Sequence, residues 1–302
     1  MLRLVDASDE SADVEESLID LVDAGQVDAL VGMCTSSVRR RIIGAIDGSV
    51  PFIYTCLYEG GDTSPGLFAI GETSARQLEP SIAWLNTRLR ARRWMLVGND
   101  YVWPRVSHRI ARAAIGDAGG EVVGEVFLPF GADDFSRVLE QIKTTRADAV
   151  LISMVGQDAV EFNRAFGRQG LHLQAMRLSC AIEENQLLAI GAENTENLHV
   201  ALGYFATLQT DANQSFKERY HTRFGDRAPT LNSIGQSLYE GMHFLAALVD
   251  EHRMRARSGS TARTPKPYPS ARNAMFLGAG TNEAPIYLAR AEGHNFQVLT
   301  QL

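Results

Sequence analysis

Short apolar runs alternate with amphipathic stretches along most of this chain, and no other feature narrows its fold as much. Each run reads as a strand and each following stretch as a helix lying back on the sheet, the pattern of βαβ units around parallel sheets. Leu2–Val5, Ala29–Val31, Pro51–Tyr54, Trp94–Val97, Glu121–Leu128, Ala149–Ser153 and Leu198–Leu202 are the expected strands. Helical patterns fall near residues 11–24, 37–47, 73–91, 104–118, 134–145, 157–169 and 183–190. Two more, near 211–224 and 231–253, follow with no strand between them, and Pro285–Ala289 with Phe296–Leu299 reads as a closing β-hairpin. One sheet rarely runs through seven strands and then stops for two successive helices, so a second lobe revisited by the chain is expected. The segment Arg255 to Arg272, rich in Arg, Ser, Thr and Pro, is expected to be a mobile surface loop with no buried face.

With 302 residues and 45% apolar content the chain is long enough to bury the cores of two domains. A net charge of -7 gives no electrostatic reason for a polyanionic partner, so neither direct nucleic-acid binding nor membrane insertion is expected. The basic clusters Arg39–Arg41, Arg88 to Arg93 and Arg253 to Arg263 are far apart in sequence and read as solvated helix ends or loops. The N-terminus lacks a basic region followed by an apolar segment, so nothing here directs export. Cys34, Cys56 and Cys180 are too few and too scattered for a disulfide framework.

Catalytic and metal-binding patterns are missing where an enzyme would need them. None of the seven histidines forms HExxH or another metal-ligand spacing, residues 61–66 lack the GxSxG elbow, and Gly278-Ala-Gly280 is neither a P-loop nor a full GxGxxG. The pairs Asp133-Asp134 and Glu183-Glu184 open helices, where negative charge complements the helix dipole. The chain therefore reads as a non-catalytic protein without metal or cofactor.

Four segments carry a resemblance. Gly98-Asn-Asp-Tyr-Val-Trp-Pro-Arg105 resembles the strand-to-helix turn of type I periplasmic binding proteins of the short-chain amide and urea branch, which includes an amide-sensing negative regulator of an aliphatic amidase operon. Tyr58-Glu-Gly-Gly-Asp-Thr-Ser-Pro65 is similar to the loop of lobe one, Val31-Gly-Met-Cys-Thr-Ser36 to a strand and its serine turn, and Ala147 to Gly156 to a strand and loop of lobe two. The resemblance implies an α/β fold of two doubly wound parallel-sheet lobes with a hinge. Lobe one would hold residues 1–91 and 208–282, lobe two 92–207 and 283–302. It places Ser36, Tyr54, Cys56 and Tyr101 around a ligand in the cleft, faced by Val155, Gly156, Ser179 and Cys180. This agrees with the tendency of open α/β sheets to bind ligands beyond the carboxyl ends of their strands. Taken alone, Ser36 reads as a helix N-cap and the two tyrosines as packing residues.

The implied ligand is a small amide-like molecule: an aliphatic amide, urea or a branched amino acid. The implied partner is an ABC permease or, alternatively, a regulator protein held by a cytoplasmic sensor, with homo-oligomers as a further expectation in either case; an enzyme such as an amidohydrolase is the third alternative, disfavoured by the absent catalytic constellation. Family members begin with one further βα unit before the strand matching Leu2–Val5. The resemblance thus implies a missing unit and an internal Met1, with an extracytoplasmic location if the true start lies upstream and a cytoplasmic one if it does not. A chain begun at Met1 is then expected to be less stable than one extended upstream in frame, because a lost sheet strand leaves its neighbours' backbone groups unpaired.

Overall fold

A computed structural model describes residues 1–8, 13–55, 57–258, 266–278 and 281–302. In chain order the elements are α1 (Val14–Asp23), β1 (Leu30–Gly32), α2 (Ser36–Ile46), β2 (Phe52–Tyr54), β3 (Leu67–Ala69), α3 (Ser74–Leu89), β4 (Arg93–Asn99), α4 (Val102–Asp117) and β5 (Glu121–Leu128). Then come α5 (Ser136–Thr144), β6 (Ala149–Ser153), α6 (Gly156–Arg168), β7 (Met176–Ser179), α7 (Glu184–Ile190), β8 (Leu198–Leu202), α8 (Asp211–Phe224) and α9 (Ser233–Ser258). Strands β9 (Lys266–Pro267), β10 (Met275–Gly278), β11 (Thr281–Glu283), β12 (Tyr287–Glu292) and β13 (Asn295–Gln301) close the chain. Among the described residues no helix is long and apolar enough to cross a membrane.

The chain divides into two compact units. Unit 1 holds residues 1–72 and 234–284, unit 2 residues 73–233 and 285–302. The segments 73–91 and 208–233, expected in lobe one, therefore belong to unit 2, where α3 packs on α4.

In unit 1, β1-β2-β3 form a parallel sheet and β11-β10-β9 an antiparallel one. Side chains alternate faces along a strand. Phe52 and Tyr54 of β2 accordingly join a core with Val14, Leu18, Val38 and Ile42 from α1 and α2, while Ile53 between them joins Phe244, Tyr268 and Phe276. Strand β3 was not expected from sequence. It forms from three residues that follow Pro65-Gly66, paired in register with β2.

Unit 2 is a seven-stranded sheet in the order β13-β12-β8-β7-β6-β4-β5, parallel from β8 to β5, with the expected hairpin added antiparallel at one end. Strand β7 was also unexpected, because Arg177 interrupts its apolar run. That guanidinium is fully buried: it donates to Asn163 Oδ1 (2.8 Å) and to the Glu196 carbonyl (2.6 Å), and it lies 4.5 Å from the Phe166 ring centroid. Two bonded donors and the ring face offset part of the cost of burying this charge, while its Nε has no hydrogen-bond partner among the described residues.

Two further expectations are corrected. Leu2–Val5 is no strand: Leu2 and Leu4 are 74% and 91% exposed, and no strand among the described residues pairs with them. Apolar character alone does not hold a strand whose backbone groups find no partner. The segment 255–272 is not wholly a surface loop either. Helix α9 runs to Ser258, residues 259–265 lie outside the described ones, and Tyr268, Ala271 and Arg272 are buried. Arg272 tolerates burial because it is ion-paired with both Glu72 and Glu240.

Candidate functional site

In a parallel sheet every carboxyl end points to the same edge, so the loops after β4, β5, β6 and β7 of unit 2 are neighbours by construction. The Asp-Tyr-x-x-Pro-Arg element forms the first of them. Asp100 accepts hydrogen bonds from Arg105 Nε (2.9 Å) and Nη2 (2.6 Å), and its amide donates to the Leu128 carbonyl at the end of β5 (2.8 Å). Pro104 sits in the first turn of α4, where its missing N–H costs the helix nothing. Gly98 lets that turn close, since a Cβ there would stand 2.9 Å from Pro104 Cβ and 3.1 Å from His108 Nε2. Burial pushes the His108 imidazole down to about 4 against the pull of Glu125, so it is neutral near pH 7 and stacks on Phe127 at 4.7 Å.

Two buried polar residues tie three of the loops together. Asn99 Nδ2 donates to Asp158 Oδ2 (2.6 Å), and the Val155 amide donates to Asn99 Oδ1 (3.0 Å). The Gly131 amide donates to both Asp158 oxygens (3.1 and 3.2 Å). The loops after β4, β5 and β6 thus share one hydrogen-bonded bracket, and Gly131 and Gly156 at its margins take φ of +74° and +58°, where a side chain would be strained. Next to the bracket along the chain is an aromatic group: Tyr101 stands 5.2 Å from Phe130 and 6.3 Å from Trp103, centroid to centroid.

The structure therefore brings together Tyr101, Val155 and Gly156 at one edge of unit 2. Ser179 and Cys180 end β7 two strands from β4 in the same sheet. Both are buried, Ser179 Oγ accepting the Ala181 amide (3.2 Å) and the Cys180 carbonyl accepting from Gln77 (3.4 Å). Asn99, Asp158 and Phe130 were missed by sequence reasoning. The motif pointed at position 99, but nothing in the sequence says that Asp158, one turn into a helix, bonds back to it.

The unit 1 residues have different surroundings. Thr35 caps α2, accepting from the Val38 amide, so Ser36 is its first helical residue. The Ser36 hydroxyl donates to Glu59 Oε2 (2.6 Å), and the Tyr54 hydroxyl donates to the Cys34 carbonyl (2.6 Å). Cys56 lies outside the described residues. Arg39, expected at a solvated helix end or loop, is fully buried: its guanidinium pairs with Glu59 (2.8 Å) and Asp62 (3.3 Å) and lies 5.0 Å from the Tyr54 ring centroid. Burial alone would raise the Glu59 carboxyl, but the hydrogen bonds and charge of Arg39 and the Ser36 hydroxyl outweigh it and hold Glu59 below its ordinary range. Along α2 and residues 59–65 runs an open cavity of about 650 Å³, where Arg39 and Arg40 stand against Glu59 and Asp62. Among the described residues no three metal-ligating side chains gather.

Two α/β units, through which the chain passes at 72/73, 233/234 and 284/285, each with loops at the carboxyl ends of parallel strands, are the build of a two-lobed binding protein. The chain belongs to the periplasmic binding protein family, whose model matches residues 7–295. Its fold is that of a periplasmic binding protein from Burkholderia mallei (TM-score 0.81, 17% identity, 97% of this chain and 81% of that one). It is also similar to a solute-binding protein of an ABC transporter from Rhodopseudomonas palustris in complex with p-hydroxybenzoic acid (TM-score 0.84, 18% identity, 97% and 83% covered). A leucine-binding protein from Thermotoga maritima matches with TM-score 0.77 at 16% identity, over 98% of this chain and 85% of that one. By sequence, Leu/Ile/Val-binding protein homolog 6 of Brucella melitensis is 28% identical over 144 residues, 46% of this chain and 36% of that protein's length.

Proposed function

We propose that the chain is the solute-binding component of an ABC importer and takes a small polar ligand, an aliphatic amide, urea or a branched amino acid, without chemical conversion. The Asn99–Asp158 bracket carries the reading, because it spends two buried polar side chains on fixing the loops that present Tyr101 and Val155-Gly156. Preorganised loops bind more tightly because less freedom is lost on binding. Ser36, Tyr54 and Cys56 in unit 1, and Ser179 and Cys180 in unit 2, are further contributors, through backbone and ring contacts where their hydroxyls are already engaged. Supporting the importer reading are the ABC-transporter relatives and the leucine- and Leu/Ile/Val-binding names among them. The likeness of Gly98 to Arg105 to the amide-sensing branch favours a second reading, a sensor that holds a regulator protein until an amide binds.

Calorimetric titration with acetamide, butyramide, urea and leucine tests both. Acetamide has four heavy atoms and gains at most about 1.5 kcal/mol from each, so its dissociation constant is no tighter than roughly tens of micromolar. Millimolar or tighter binding of at least one compound is expected, and no binding by any of them contradicts the proposal. Amide binding that releases a co-purified regulator would favour the sensor over the importer.

A further inference from the structure

Phe130 is left unexplained by the fold. It follows β5 and Pro129, is 43% exposed, and lies tilted against Tyr101, 5.2 Å between centroids and 35° between the rings. An exposed ring on an ordinary surface loop is unremarkable. This one is held in place. The next residue, Gly131, is anchored through its amide to the buried Asp158, and Asp158 is bonded in turn to Asn99, which precedes Tyr101 by two residues. The same network therefore fixes both rings of the pair, from β4 on one side and β5 on the other, beside the Val155 backbone that it also fixes.

We propose that Phe130 is a specificity-determining residue, and that the Tyr101–Phe130 pair is a platform selecting ligands that carry a flat aryl ring over aliphatic ones of the same polar head. The inference rests on the reading that this edge of unit 2 binds a small solute, keeps the polar head of that reading and puts an aryl group in place of its aliphatic one. Aromatic faces favour offset or tilted neighbours with centroids within about 7 Å, and a branched aliphatic group offers no such face. Rigid rings also lose little conformational freedom on binding, since a phenylalanine has only two side-chain torsions.

The test titrates wild type, Phe130→Ala and Phe130→Leu with two aryl ligands, benzamide and benzoate, and two aliphatic ones, butyramide and leucine. At least one aryl ligand is expected to bind wild type more tightly than its aliphatic counterpart. Phe130→Ala should weaken that aryl ligand about 2- to 10-fold while changing butyramide and leucine by less than about 2-fold, and Phe130→Leu should fall between. Because the ring is partly exposed, both variants should melt with wild type in the absence of ligand. Equal losses for aryl and aliphatic ligands, or no loss for either, overturn the platform while leaving solute binding intact. Binding of aliphatic ligands alone does the same. Failure of all four compounds to bind overturns the platform and the solute-binding reading together.

Discussion

The carboxyl edges of the two parallel sheets satisfy their polar groups in opposite ways. In unit 1 the charged residues beyond β1 and β2 are matched against one another: Arg39 against Glu59 and Asp62, Ser36 against Glu59. In unit 2 the polar residues beyond β4 and β6 are matched to backbone amides, Gly131 with Asp158 and Val155 with Asn99, and the side chains left at the margin are rings. The first arrangement uses most of its hydrogen-bonding capacity, all but the Arg39 Nε, in fixing α2 to the 59–65 loop. The second uses two side chains to fix three loops and leaves aromatic surface over. A residue of the expected type at the expected edge is therefore weak support for a ligand contact until its hydroxyl is accounted for.

The largest expected effect probes unit 1. Arg39→Met leaves Glu59 and Asp62 without their buried cation and should cost about 3–5 kcal/mol of stability, read as a lowered urea midpoint. Replacing Arg39 and Glu59 together by apolar residues should cost much less, and a double variant as unstable as the single one would show that the cluster is not what the arginine sustains.

A pH experiment comes next. Burial pushes the Glu184 carboxyl in α7 up to about 7 from its ordinary 4.5, opposed by the Ala206 amide that donates to it (2.8 Å). The folded state then holds a proton between about pH 4.5 and 7 that the unfolded chain has released, so stability falls as pH rises through that window, by about 3 kcal/mol at most. Glu184→Gln keeps an acceptor for Ala206 and has no proton to lose. Its melting temperature should gain on wild type at pH 8 and not at pH 4, and parallel curves for the two proteins would rule the buried proton out.

A smaller effect is expected at the turn itself. Gly98→Ala presses a methyl group against Pro104 and His108, so it should cost roughly 1–3 kcal/mol and weaken ligand binding through the displaced turn. Unchanged thermal stability would mean that α4 moves freely away from β4.

Most of the sheet was legible because its strands are uninterrupted apolar runs, β4 and β6 above all, and the closing hairpin was legible in the same way. What sequence concealed is burial of charge. Arg39 read as part of a basic cluster, Arg177 broke the pattern of β7, and Arg272 lay in a stretch read as a surface loop, yet each is fully buried against partners distant in sequence, Glu72 and Arg272 being 200 positions apart. Local composition carries no trace of such pairings. The candidate site was legible only as positions: Tyr101 and Gly156 follow strands and so fall at the sheet edge, whereas the bonding of Asp158 to Asn99 and Gly131, next to Phe130, forms only in the folded chain. Leu2–Val5 shows the converse, an apolar run with no neighbour to make it a strand.

The most direct test of ligand binding at the unit 2 edge is calorimetry on Tyr101→Phe and Tyr101→Ala with whichever solute wild type binds. Loss of one hydroxyl hydrogen bond should cost about 0.5–1.5 kcal/mol of affinity in the phenylalanine variant, and the alanine variant, which also loses the ring, should lose more. Both should melt with wild type when no solute is present. Wild-type affinity in both variants would contradict the assignment, placing the ligand somewhere other than the loops that Asn99 and Asp158 hold.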